Sequence, residues 1–222
     1  MGESGWKAGD EQGGGSLTVT SEDAELLELF VKNMVHVGSR IKVKHMDPFI
    51  YRMRADGIYL LDVKKTLERL NLAAKFISYY PPEKVVAVST HVFGVKAVQK
   101  FAEVTGCVPI VGKMRAGLFT NRMLKEYMEP SLVIISDPRY DVQALEEARI
   151  ARVPVIAMCS TDNVCSNVDL VIPMNNRGKT SLPFALWYLS RKVLEERKAL
   201  TAEVEALKPE DFMSEVGLTK TE

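Results

Sequence analysis

The sequence predicts an α/β protein built as a three-layer α/β/α sandwich around a parallel five-stranded sheet, with an N-terminal helix and a basic β-hairpin as an appendage. Two observations carry the sandwich. Val85–Ser89 is an apolar run without alternation, the pattern of a parallel strand buried on both faces, and Val108–Val111, Leu132–Ser136, Pro154–Met158 and Leu170–Pro173 read as the strands that follow it. Between most of them lie segments of helical period, joined by mostly short connections. A third observation carries the appendage: from Lys32 to Arg54 nearly every charge is basic, Asp47 excepted. At 222 residues and 46% apolar composition, one large domain is the simplest organisation.

Taken in order, residues 1–19 are glycine-rich and acidic, too polar to bury, and predict a mobile tail. Thr20 with Asp23 resembles a capping box, and Leu26, Leu27, Phe30, Val31 and Met34 recur at helical spacing up to a stop at Gly38. Ile41, Val43 and Met46 then alternate with Arg40, Lys42 and Lys44, which predicts an extended cationic strand. Asp47-Pro48 turns the chain, and Phe49 to Arg54 repeats the theme with Arg52 and Arg54. After a second turn at Gly57, Ile58–Leu61 is a short strand, and Asp62 caps a helix over Val63–Tyr79.

Further helices are expected over Val95–Val104, closed by Gly106, and over Val142–Ile150. A basic connection from Lys113 to Tyr127 is expected to become helical near its end. Thr180 to about Leu207 reads as a long helix with an apolar face of Leu186, Leu189, Val193 and Leu200, its charged last turns leaving the body. The expected division is a tail over 1–19, one domain over 20–207 (helix and hairpin 20–62, sandwich 63–207) and a tail over 208–222.

Lys+Arg and Asp+Glu balance at 29 each, so total charge says nothing of nucleic acid, but its segregation does. Three basic clusters stand out: Arg40, Lys42, Lys44, His45, Arg52 and Arg54, followed by Lys64 and Lys65; Lys113, Arg115, Asn121, Arg122 and Lys125; and Asn175, Asn176, Arg177 and Lys179. Separate clusters of this kind fit several RNA phosphate contacts, which set position without reading sequence. A solvated basic face is the alternative.

Residues 173–180, PMNNRGKT, lie between a strand and a helix and end like a phosphate-binding loop, with Asp137 as a metal anchor upstream. A nucleotide-dependent enzyme using Gly178, Lys179 and Thr180 is therefore the alternative function. Against it, Pro173 stands where the loop needs a flexible glycine with a free N–H. Asp137 and Asp141 could be catalytic at a sheet end, or could tie a turn and cap a helix, and Asp162 could brace its own turn. His36, His45 and His91 lack partners at zinc spacing, and Cys159 and Cys165 read as core thiols without a base. No catalytic centre, metal site, cofactor or small-molecule substrate is predicted. Cys107, Cys159 and Cys165 are odd in number and lack CxxC spacing, and no apolar run is long enough for a membrane span, so a cytoplasmic protein is expected.

HVG at 36–38, DPFIYR at 47–52, DGIYLLDVKKT at 56–66 and LFTN at 118–121 together resemble the universal small-subunit ribosomal protein S2 family. So do DPR at 137–139 with Asp141, CSTDN at 159–163 and SNVDLVIPMNNRGK at 166–179. The likeness runs in order from about Ser21 to Arg197 and is nearest the archaeal branch, akin to the eukaryotic form called SA or laminin-receptor precursor. It implies a flavodoxin-like sheet in the small ribosomal subunit, with small-subunit ribosomal RNA and neighbouring small-subunit ribosomal proteins as partners. The bacterial coiled-coil insertion has no room between Asn121 and Pro130, and the long eukaryotic extension does not follow Glu222. RNA contacts of that insertion and laminin binding are therefore not implied.

Overall fold

The computed structural model describes residues 21–201, 204 and 206–214. The expected tail over 1–19 and the Thr20 cap lie outside them. In chain order the elements are α1 (Ser21–Lys32), β1 (Ile50–Met53), β2 (Tyr59–Leu61), α2 (Val63–Ser78), β3 (Val85–Ser89), α3 (Val92–Thr105), β4 (Val108–Val111), β5 (Leu132–Ile135), α4 (Val142–Ala151), β6 (Val155–Cys159), β7 (Leu170–Pro173) and α5 (Ser181–Glu196).

Five strands form one parallel sheet in the order β4-β3-β5-β6-β7. β3, β5 and β6 are buried at every position, which is why their sequences are apolar without alternation. Alternate residues feed two cores. Val85, Ala87, Leu132, Ile134, Ile156, Met158, Leu170 and Ile172 meet α2, α3 and α5 on one face. Val86, Val88, Val133, Ile135, Val155 and Ala157 meet α4 and the loop residues Met114, Leu118 and Phe119 on the other. α1 is stitched to the first layer by Phe30, whose ring lies edge-on to Phe184 at 5.0 Å and Tyr188 at 5.5 Å.

Helix ends follow local chemistry. The Asp62 carboxylate accepts the Lys64 N–H at 3.0 Å to start α2, and Gly106 closes α3 at φ +77°. Beyond α5, Arg197 donates to the carbonyls of Thr105 at 2.9 Å, Tyr80 at 3.2 Å and Ile77 at 3.3 Å. One guanidinium thus satisfies the carboxyl ends of both α2 and α3.

The appendage corrects the expected ribbon. β1 and β2 pair antiparallel, but the hairpin spans only Ile50–Leu61. Residues 44–49 are a 3-10 turn that drives Met46 into the second core, so the apolar–basic alternation from Arg40 to Met46 is not a strand. Gly38 is not the stop of α1 either: that helix ends at Lys32, with Met34 left-handed at φ +56°. Gly38 is needed because a Cβ there would lie 2.5 Å from Thr161 Cγ2 and 2.8 Å from the Tyr59 carbonyl.

Two more expectations fail. Residues 113–127 contain turns but no helix, because the buried Glu147 carboxylate accepts the N–H groups of Gly117 at 2.6 Å and Phe119 at 2.9 Å, ordering the loop from outside. The last helix ends at Glu196, with Lys198 left-handed at φ +55°. The chain then returns through a 3-10 turn at Pro209–Phe212 that seats Phe212 in the first core. The Trp187 indole N–H, donating to the Leu207 carbonyl at 2.8 Å, holds that return.

Candidate nucleic-acid interface

The first basic cluster is fixed to the sandwich by one buried threonine. Thr161, just past β6, accepts the Ser39 N–H on Oγ1 at 2.8 Å and the Val43 N–H on its carbonyl at 2.9 Å. Arg40, Lys44, His45, Arg52 and Arg54 are exposed on the segment so held. Lys42 pairs with Asp47 at 2.9 Å and Arg54 with Asp56 at 3.4 Å, both in solvent, where phosphate competes easily. Arg52 lies 5.9 Å from the Tyr51 ring centroid, and Tyr51 itself is exposed. Lys64 and Lys65 open α2 at the same side, where the Lys65 ammonium donates to the Pro48 carbonyl.

The second cluster is divided. Lys113 and Arg115 stay at the carboxyl edge of the sheet, near Thr90 and Tyr140. Arg122 instead borders Ile150 and Ala151 at the far end of α4, with Asn121 and Lys125 exposed on the same loop. Arg122 pairs with Glu129 at 3.5 Å, while Asn121 accepts the Met123 N–H. Among the described residues the side chains of Arg40, Lys44, His45, Lys64, Lys113, Lys125 and Lys179 have no hydrogen-bond or ion-pair partner.

The third cluster turns inward. Asn176 is fully buried and donates to the Met158 carbonyl at 2.9 Å and to Asn163 Oδ1 at 3.1 Å, so its side chain does not reach the surface. Arg177 donates from Nε to Asp137 at 3.0 Å and from Nη1 to Asp162 at 2.8 Å. Burial opposes the guanidinium's charge, but those two carboxylates outweigh it and hold the group more firmly protonated. Asn175 reaches the Met34 carbonyl at 3.2 Å, and Lys179 alone of the four projects freely.

This network also disposes of the phosphate loop. Both Asp137 oxygens are taken: Oδ1 accepts the Arg139 N–H and the Asn163 amide, and Oδ2 accepts Arg177. The Pro173 carbonyl accepts the Thr66 hydroxyl at 2.6 Å, and a Cβ at Gly178 would lie 2.2 Å from Ser181 Oγ. That glycine makes room for its own helix. Asp141 stands at the start of α4, but its carboxylate bridges strands instead of capping, accepting the Thr90 N–H at 2.8 Å and the Asp137 N–H at 3.2 Å. Burial pushes the Asp141 carboxyl up from the ordinary carboxylate range, against those donors. The Cys165 side chain and burial push the Cys159 thiol up as well, opposite to what a nucleophile needs. Among the described residues no three His, Cys, Asp or Glu side chains are grouped to hold a metal, and no helix is long and apolar enough to cross a membrane.

Thr161, Tyr140 and Glu147 organise this edge, and reading the sequence did not single them out. Thr161 and Tyr140 do lie beside residues that the sequence marks, Asp162 and Asp141, whereas nothing local points to Glu147.

The fold and this edge define a parallel α/β protein with a cationic rim and a carboxyl edge laced by its own side chains. The family model described as Ribosomal protein S2 matches residues 30–128 and 123–196. The chain is 47% identical over 174 residues to the small ribosomal subunit protein uS2 of Staphylothermus marinus, covering 78% of this chain and 79% of that protein. It is 47% identical over 171 residues to the uS2 of Thermofilum pendens, covering 77% and 80%. It is 41% identical over 203 residues to that of Saccharolobus solfataricus, covering 86% and 88%. The chain belongs to the uS2 family of ribosomal proteins.

Proposed function

We propose that the protein is a structural constituent of the small ribosomal subunit, binding small-subunit ribosomal RNA and neighbouring ribosomal proteins to support assembly and translation, without catalysis. The observation that carries this is the set of basic side chains without a hydrogen-bond or ion-pair partner among the described residues, Arg40, Lys44, His45, Lys64, Lys113 and Lys179, on segments that the sandwich holds rigid. Rigid placement lowers the ordering cost when phosphates dock. Arg52, Arg54, Lys42, Lys65 and Arg115 join them, while Asn121, Arg122 and Lys125 serve a separate contact along α4. The family and its small-subunit relatives support the RNA partner, and the same reading places the protein in the cytoplasm, within the ribosome. The sheet order, with β3 between β4 and β5 and the later strands added in turn beyond β5, supports naming the fold flavodoxin-like. Residues 20–62 and 63–207 then act as one unit, because Thr161 and Phe30 join them.

Filter binding of a small-subunit ribosomal RNA transcript over a salt series tests this. Changing Arg52 and Arg54 together to Ala should weaken binding and lower the salt slope by about 2, roughly one per phosphate contact. Binding that ignores salt, or no binding, overturns the proposal.

A further inference from the structure

At the carboxyl ends of β3 and β5, where the strand order reverses, a cleft of about 610 Å³ opens between the loop after β4 and the first turn of α4. Crevices at such a reversal are the usual ligand site of parallel α/β sheets. Val88 and Met114 give it an apolar floor, Tyr140 an aromatic wall, Gln143 an amide, and Lys113 and Arg115 two cations. The frame is stiff: Asp141 clamps the Thr90 and Asp137 amides, and the Thr90 hydroxyl donates to the Gly112 carbonyl at 3.2 Å. Tyr140 is braced by Arg177, 5.8 Å from its ring centroid, and by His91 at 5.7 Å, yet remains 54% exposed. Gln143 donates to Glu147 at 2.7 Å, which leaves its carbonyl oxygen to accept.

We infer that this cleft takes one unstacked nucleotide of the bound RNA, its base on Tyr140 and its phosphate against Lys113 and Arg115. An aromatic face, one adaptable amide and neighbouring cations are the elements that hold splayed single-stranded bases. Arg115 meets only the exposed Glu126, at 3.4 Å, and Lys113 has no partner among the described residues. Two cations without a glycine-rich cradle match one phosphodiester better than a triphosphate. This inference rests on the RNA-binding reading and gives it a specific contact.

The test uses the full chain and a single-stranded RNA oligomer carrying one 2-aminopurine. Stacking should quench the label. Tyr140→Ala should abolish the quench and weaken binding roughly 5- to 150-fold, while Tyr140→Phe should keep both. Lys113→Ala should weaken binding without removing the residual quench. Salt-sensitive binding that ignores Tyr140→Ala overturns the inference and leaves the RNA-binding reading standing. Failure of the wild-type chain to bind any RNA overturns both. AMP that displaces the label at lower concentration than unlabelled oligomer also overturns the inference, since the cleft would then hold a free nucleotide.

Discussion

Arg177 and Asp137 form an ion pair, Nε to Oδ2 at 3.0 Å, that ties the loop after β7 to the end of β5. β6 lies between those strands, so the pair spans the whole carboxyl edge there. Asp137 is fully buried, and its loss leaves a guanidinium without its deepest partner.

Asp137→Ala should therefore cost about 3 kcal/mol, read as a lower urea midpoint at unchanged slope. Arg177→Met should cost less than Arg177→Ala, because the methionine refills part of the volume that the guanidinium stem occupies. Equal losses in the two variants would mean that the stem's packing contributes nothing.

Gly38 touches Thr161 so closely that Gly38→Ala must push the basic segment outward. The expected loss is about 1–3 kcal/mol, with RNA affinity falling although no cation is removed. Unchanged melting and unchanged affinity would show that the segment yields freely.

His36 is partly buried near Arg54, and burial first, then that cation, lowers its pKa below the ordinary 6.5. A histidine depressed in the folded state stabilises fully above the unfolded value, and that contribution is lost as pH falls through the folded one. Between neutral pH and about pH 5, His36→Leu should lose less stability than the wild type. The His36 ring protons, followed by NMR, should titrate below 6.5; a midpoint above that value would reverse the sign.

Phe212 is fully buried beside α3 and α5. Phe212→Ala should cost about 3–5 kcal/mol, seen as a clear drop in Tm. A loss no greater than that of an exposed residue would place residues 209–212 outside the cooperative unit.

The sheet was legible because a strand buried on both faces must be almost wholly apolar, as Val85–Val88 and Leu132–Ile135 are. Asp62 and Gly106 were legible because a helix end needs their local chemistry. The ribbon was misread because Met46 alternates like a strand residue while a 3-10 turn places it in the core. Residues 113–127 were misread because Glu147, thirty positions from Gly117, supplies the acceptor that sets their course. Arg177 looked free for the same reason: its carboxylates lie forty and fifteen positions away in the chain. Local patterns expose elements, but they do not expose which distant partner neutralises a charge.

Phe30 and Phe212 sit in one core although they come from opposite ends of the described chain, and Phe30 reaches that core through Phe184. A nascent chain emerging from its N-terminus therefore holds Phe30 without its aromatic partners Phe184 and Tyr188 until α5 has appeared, and the same core stays open until residue 212 follows. Closure of this layer is a late event in synthesis, governed by contacts between remote segments. Until then its helices present a greasy surface to whatever attends the growing polypeptide.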